Sequence, residues 1–230
     1  NGANTEDLTG VPGGSYAVTV TGANGCTATA SATVPDDDIN ISASATAYGL
    51  FASITTLGGD FSNSGEIDVI ASAGVVVSLS ADASAFATAY ILADGSISIA
   101  AHASAYGLFA DIDNAIGAFT NSGDIDAAAL AKVDISLTAR ADSSTAFAYI
   151  FSTDDDISIS ASATAYGLFA TIITLGDDFS NSAEIDSLAN AAVVVSLSAT
   201  AATSGAQAYN SALDSISISA DASAYGLYAD

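Results

Sequence analysis

ISASATAYGLFA, residues 41–52, alternates apolar and small polar side chains up to the pair Tyr48-Gly49. Near copies read ISIAAHASAYGLFA at 97–110, ISISASATAYGLFA at 157–170 and ISISADASAYGLYA at 216–229. A period of 2 is typical of a β-strand with one inward and one outward face. The tyrosine recurs after 58, 60 and 59 residues (48, 106, 166, 225). Self-similarity at such a spacing indicates a solenoid or a repeat array.

A more divergent copy starts between each of these stretches. IDVIASA at 67–73 shares the opening Ile-x-Ile/Val-x-Ala with INISASA at 39–45. The sequence therefore predicts an all-β protein, a β-solenoid (β-helix) with coils of about 30 residues in two alternating types. The predicted coils start near residues 39, 67, 97, 125, 157, 185 and 216. An antiparallel meander or sandwich, favoured by the turn signal Asp94-Gly95, and a barrel remain alternatives.

Two columns are expected from the stacking of such coils. The residue after each opening isoleucine alternates between Asp and Ser or Asn, which would separate like charges on neighbouring coils. One aromatic residue late in each coil would form a single stacked ladder. The first column is Asn40, Asp68, Ser98, Asp126, Ser158, Asp186 and Ser217, and the second is Phe61, Tyr90, Phe119, Tyr149, Phe179 and Tyr209.

Residues 1–35 form a separate segment before the solenoid at 36–230. LTGVPGGSYAVTVTGANGCTATASATV, residues 8–34, predicts strands at 15–22 and 26–34 around a turn at Asn24-Gly25. This motif resembles the C-terminal half of the Ig-like repeat of gliding-type surface adhesins of Bacteroidetes. The resemblance implies a secreted cell-surface protein with β-sandwich modules in series and a role in adhesion or motility. The remainder is loosely similar to the β-solenoid repeats of filamentous haemagglutinins and autotransporters.

The charge balance excludes several functions. The chain has 26 acidic residues against Lys132 and Arg140, and its net charge of −24 disfavours nucleic acid and anionic membranes as partners. Membrane insertion is not expected, because the charge-free runs at 39–59 and 187–213 contain recurring polar side chains and alternate with period 2. Catalysis is not expected, because no zinc spacing, phosphate-binding loop or nucleophile elbow is present. The single histidine, His102, is predicted to lie on the outward face.

Acidic residues precede the coil starts and could form a column of carboxylates suited to Ca²⁺. The alternative is a solvated acidic face that keeps the protein soluble. The candidate calcium ligands are Asp36, Asp37, Asp38, Glu66, Asp94, Asp124, Asp154, Asp155, Asp156, Glu184 and Asp214.

These features together predict a structural subunit of an extracellular fibre or adhesin stalk. Copies of the chain would assemble head-to-tail through open β edges, with residues 1–34 packed on a neighbouring subunit or belonging to a module of a larger protein. The alternative function is a cell-surface adhesin domain that binds a carbohydrate or another surface ligand.

Overall fold

The computed structural model describes residues 14–21, 27–34, 38–153, 155–202 and 205–229, with side chains from residue 38 onward. All regular structure in these residues is β-strand, and they contain no helix that could cross a membrane.

The first two strands form a two-stranded sheet. β1 (Gly14–Thr21) pairs antiparallel with β2 (Thr27–Val34), so that Gly14 lies opposite Val34. The strands lie within one residue of the predicted bounds, and the predicted turn lies outside the described residues. The packing of this segment on a neighbouring subunit stays a prediction.

The other strands repeat in groups of four. They are β3 (Ile39–Leu57), β4 (Phe61–Asn63), β5 (Ile67–Ala83) and β6 (Ala87–Ala93); β7 (Ile97–Ala115), β8 (Phe119–Asn121), β9 (Ile125–Ala141) and β10 (Ala146–Ser152); β11 (Ile157–Leu175), β12 (Phe179–Asn181), β13 (Ile185–Ala201) and β14 (Ala206–Ser211); and β15 (Ile216–Ala229).

Corresponding strands pair in parallel and in register, which confirms the β-solenoid. The first sheet contains β3, β7, β11 and β15; the second contains β4, β8 and β12; the third contains β5, β9 and β13; and the fourth contains β6, β10 and β14. Ile39, Ile97, Ile157 and Ile216 form one column of the first sheet. The meander is excluded for these strands, because every pair between them is parallel.

The coil is twice as long as predicted. Ile39 pairs with Ile97 rather than with Ile67, so one turn takes 58 residues here and 60 in the next turn, from Ile97 to Ile157. All seven predicted starts are the first residues of strands, but the two types lie on different walls of one coil. Strands of two sheets that enclose the same core alternate in the same way. Alternation therefore cannot distinguish a strand that stacks on the previous coil from a strand in the opposite sheet.

The solenoid is therefore wide and short. The 17 residues of β5 extend for about 55 Å at 3.3 Å per residue. Three coils and the opening strand of a fourth add only about 15 Å along the axis at ~4.8 Å per strand. The end surfaces are consequently large in relation to the sides.

The Tyr-Gly pair marks a change of phase inside a continuous strand. Along β7 the buried positions include Ile99 and Ala105 before Gly107, and then Leu108 and Ala110 after it. A Cβ atom at Gly107 would collide with Cγ2 of Ile125 and with the carbonyl oxygen of Gly167. The strand therefore continues through the Tyr-Gly pair with its alternation shifted by one residue, and this shift separates two hydrophobic cores.

Candidate functional site

The predicted calcium ligands are distributed over several corners of the coil. Asp38 and Asp156 precede strands of the first sheet, whereas Glu66, Asp124 and Glu184 precede strands of the third. The single predicted column is therefore wrong for the described residues, because acids precede both types of strand and these lie on different walls. Asp36, Asp37 and Asp154 lie outside the described residues.

Several of these carboxylates accept hydrogen bonds from the next coil. Oδ1 of Asp38 accepts the backbone N–H of Ser96 at 2.8 Å, and Oδ1 of Asp156 accepts the N–H of Ser215 at 2.9 Å and its hydroxyl at 2.7 Å. Oδ1 of Asp124 accepts the N–H of Glu184 at 3.1 Å.

The remaining candidates have less regular surroundings. The hydroxyl of Thr153 donates to Oδ1 of Asp94 at 3.3 Å, and the backbone N–H of Asp155 donates to Oγ of Ser152 at 3.1 Å. Asp214 lies in the loop before β15. Nowhere in the described ranges are three His, Cys, Asp or Glu side chains grouped to hold a metal ion. Calcium binding at these corners stays a prediction.

Aspartates stack directly on one another in the third sheet. Asp68 pairs with Asp126, and Asp126 pairs with Asp186, while Asn40 and Ser98 lie in the first sheet. The predicted alternation of charge along one column is therefore wrong, for the same reason as the coil length. Three exposed carboxylates follow one another at the spacing of adjacent strands.

The aromatic residues that were predicted to form one ladder form two separate ladders. The rings of Phe61, Phe119 and Phe179 stack at 4.7 and 4.9 Å between centroids, and Phe119 is only 1% exposed. Tyr90, Tyr149 and Tyr209 stack at 5.4 and 5.2 Å in the fourth sheet. The phenylalanines belong to the core, and the tyrosines lie on the surface.

Two further ladders were missed in the sequence. One contains Tyr48, Tyr106, Tyr166 and Tyr225, and the other contains Phe51, Phe109, Phe169 and Tyr228. The signal was the recurrence of Tyr-Gly-Leu-Phe/Tyr every 58 to 60 residues, which the division into shorter coils concealed.

Stacking changes the acidity of the inner tyrosines. Burial, and then the neighbouring phenols of Tyr48 and Tyr166, raise the pKa of Tyr106 above its ordinary value. Burial and the phenols of Tyr225 and Tyr228 raise the pKa of Tyr166 in the same way. These phenols remain protonated at neutral pH.

Asparagines form a hydrogen-bonded ladder inside the second sheet. Nδ2 of Asn63 donates to Oδ1 of Asn121 at 2.7 Å, and Nδ2 of Asn121 donates to Oδ1 of Asn181 at 2.6 Å. Nδ2 of Asn121 also donates to the carbonyl oxygen of Gly123 at 2.9 Å. The repeated Asn-Ser pairs were noticed in the sequence only as markers of the period.

The end coils expose side chains that the middle coil buries. Ile99 is 0% exposed, whereas its column neighbours Ile41 and Ile218, in the first and last strands of the sheet, are 37% and 50% exposed. Leu108 is likewise 0% exposed, and Leu227 in β15 is 51% exposed.

His102, Lys132 and Arg140 all lie on the surface of the solenoid. His102 is exposed on the outward face, as predicted. Both cations are engaged: Nζ of Lys132 lies 2.8 Å from Oδ2 of Asp134, and Nε of Arg140 lies 3.8 Å from Oδ1 of Asp142. A shallow depression on the third sheet is lined by Ser72, Gly74, Leu130, Lys132, Asn190 and Ala192, among others.

Comparison with known proteins gives no match to a family model, a curated protein or a solved structure. The function of the chain is therefore inferred from the geometry of the solenoid itself.

Proposed function

We propose that this chain is a structural module of an extracellular fibre or adhesin stalk, in which coils stack end to end through their open β edges. The supporting observation is the exposure of Ile41, Leu50, Ile218 and Leu227, whose equivalents in the middle coil are fully buried. Apolar side chains aligned along an unpaired edge form a template for a further strand.

The same physics explains why such ends require a partner. A solenoid obtains its stability from contacts between neighbouring repeats, and its terminal repeats must be covered. Burial of apolar surface yields about 25 cal/mol per Å². The wide, short shape places an unusually large part of that surface at the two ends.

The register of the strands defines how two copies would join. β3 of a second copy placed on β15 continues the column of Ile159 and Ile218 with Ile41. The first sheet has four strands, whereas each of the other three sheets has three. At such a junction, one strand position would therefore remain unfilled above each of β12, β13 and β14. A complete junction needs one further coil segment over those three strands, from a second copy or from flanking sequence.

Electron microscopy and light scattering of the purified chain test the proposal. We expect concentration-dependent, end-to-end oligomers with an axial repeat set by the stacked coils. Uniform monomers at every concentration would overturn self-assembly of this chain. Labelling of intact cells with an antibody against the solenoid tests the extracellular location, and a purely intracellular signal would contradict it.

Blocking variants make the test sharper. Ile41→Lys blocks the first strand of the first sheet and Ile218→Lys blocks the last, since a charge cannot be buried in the column without a partner. Each variant alone should retain one competent end, so an equimolar mixture should stop at two subunits, as expected for a heterologous interface. Ile173→Lys, at a side position that is 75% exposed, should assemble like the unmodified chain.

A further inference from the structure

The outer face of the first sheet combines hydroxyl columns with two aromatic ladders. Six outward positions on each of the four strands define this hydroxyl–aromatic face. They are Asn40, Ser42, Ser44, Thr46, Tyr48 and Phe51; Ser98, Ala100, His102, Ser104, Tyr106 and Phe109; Ser158, Ser160, Ser162, Thr164, Tyr166 and Phe169; and Ser217, Ser219, Asp221, Ser223, Tyr225 and Tyr228.

The spacing of the stacked rings leads us to infer that part of each ring face is uncovered. Successive tyrosine centroids are 4.9, 5.2 and 4.8 Å apart, with interplanar angles of 11°, 5° and 11°. Carbon atoms in contact lie about 3.5–4.0 Å apart, so parallel rings with more distant centroids overlap like roof tiles. The second ladder meets the first nearly at right angles, with 87° between Tyr106 and Phe109. Tyr48 and Phe51, at one end, are 46% and 54% exposed.

This face is almost free of charge on a strongly acidic protein. Asp221 is the only acidic residue among its positions, although the chain carries a net charge of −24. Asp111 and Asp113 follow Phe109 on the exposed side of β7, beyond these positions, and the outward positions of the third sheet include Asp68, Asp126, Asp186 and Lys132. The surrounding acids would repel an anionic ligand, whereas a neutral ligand is not repelled.

We propose that the hydroxyl–aromatic face binds a neutral β-linked polysaccharide aligned with the solenoid axis. The apolar faces of the sugar rings would lie on the tyrosine and phenylalanine rings, and their hydroxyl groups would exchange hydrogen bonds with the Ser and Thr columns. The step between strands is similar to the length of one sugar unit in an extended chain. A periodic surface without a pocket fits a periodic ligand better than a globular partner. The face runs along the side of the coils, so the inference does not depend on end-to-end stacking.

Pelleting of the full chain with insoluble cellulose and chitin, and affinity electrophoresis with a soluble β-1,3-glucan, test this proposal. We expect retention on at least one of them at both low and high salt. Tyr106→Ser/Tyr166→Ser should weaken it roughly tenfold or more, about 1.4 kcal/mol. The matched variant Tyr90→Ser/Tyr149→Ser, in the fourth-sheet ladder, should bind as before. Circular dichroism melting confirms that both variants are folded.

Several outcomes would overturn the inference. These are no retention on any of the three glycans, retention that high salt abolishes, or equal loss in both tyrosine variants. Lateral dimers that depend on Tyr106 and Tyr166, without glycan binding, would assign the face to a second copy instead. Filaments without glycan binding would leave the stacking proposal intact, and glycan binding by a monomer would leave only this inference standing.

Discussion

Nδ2 of Asn121 donates a 2.6 Å hydrogen bond to Oδ1 of Asn181, a residue 60 positions further along the chain. Asn63 makes the same bond to Asn121 at 2.7 Å. Identical residues thus satisfy one another across coils, and Asn121 is completely buried between its two neighbours. A substitution at the middle position removes bonds in both directions.

Asn121→Ala should destabilise the solenoid by about 2 kcal/mol or more. The variant removes the bonds to Asn63 and Asn181 and leaves the buried carbonyl of Gly123 without this donor, and an unsatisfied buried group costs about 1–3 kcal/mol. Urea unfolding measures the loss. Asn190→Ala on the exposed side of β13 is the control, with an expected change within about 0.5 kcal/mol. Equal losses of stability in Asn121→Ala and Asn190→Ala would show that the asparagine ladder makes no specific contribution to stability.

Gly107→Ala should cost about 1–3 kcal/mol, typical of overpacking in a close-packed interior. The added methyl group would meet Ile125 and the backbone of Gly167. Gly74→Ala in β5 is a matched control, because its nearest atom, the carbonyl oxygen of Lys132, would be 3.9 Å away. Thermal melting of the two variants compares them, and similar melting temperatures would contradict the close approach at Gly107.

Asp126→Asn should raise the melting temperature at low ionic strength, because Asp126 lies between Asp68 and Asp186 in one column. Salt screens exposed charges, so the gain should shrink at high salt. Asp134→Asn should have the opposite sign, since this carboxylate lies 2.8 Å from Nζ of Lys132. A gain that is independent of salt would argue against electrostatic repulsion.

Alkaline pH should destabilise the protein through its stacked tyrosines. The pKa values of Tyr106 and Tyr166 are raised, so the folded state holds their protons more tightly than the unfolded state, whose phenols titrate at about 10. Their contribution to stability is complete below pH ~10 and is lost as the pH rises through the folded-state values. Melting temperatures between pH 8 and 11 measure the loss, and Tyr106→Phe/Tyr166→Phe should reduce it. Identical pH profiles would exclude these phenols as the cause.

Calcium bridging of the acidic corners can be tested by melting in calcium chloride, in sodium chloride of equal ionic strength and with a chelator. If Ca²⁺ joins the corners, we expect a larger rise with calcium than with sodium and a fall with chelator. Equal responses would mean that carboxylates such as Asp38 and Asp156 serve only as acceptors for the next coil. Asp156→Asn keeps the acceptor oxygen and should weaken only a calcium-specific response, through the loss of one corner.

The local sequence pattern was sufficient to predict where the long strands begin. Alternation with period 2 and the recurring isoleucine predicted all seven long strand starts, from Ile39 to Ile216, as well as the parallel solenoid. The outward position of His102 followed from the same alternation. These properties depend on the direction in which successive side chains point, which each strand specifies by itself.

Which strands become neighbours was decided only by the tertiary structure. Ile39 and Ile67 open similar sequences, and only the closure of the coil shows that Ile39 stacks on Ile97 while Ile67 stacks on Ile125. That choice separates the aspartate column from the serine column and divides the aromatic residues among four ladders. It also places hydroxyl groups and tyrosines on one face of the first sheet. Stacking depends on contacts between residues almost 60 positions apart, and no local pattern encodes which of two equivalent walls a strand will join.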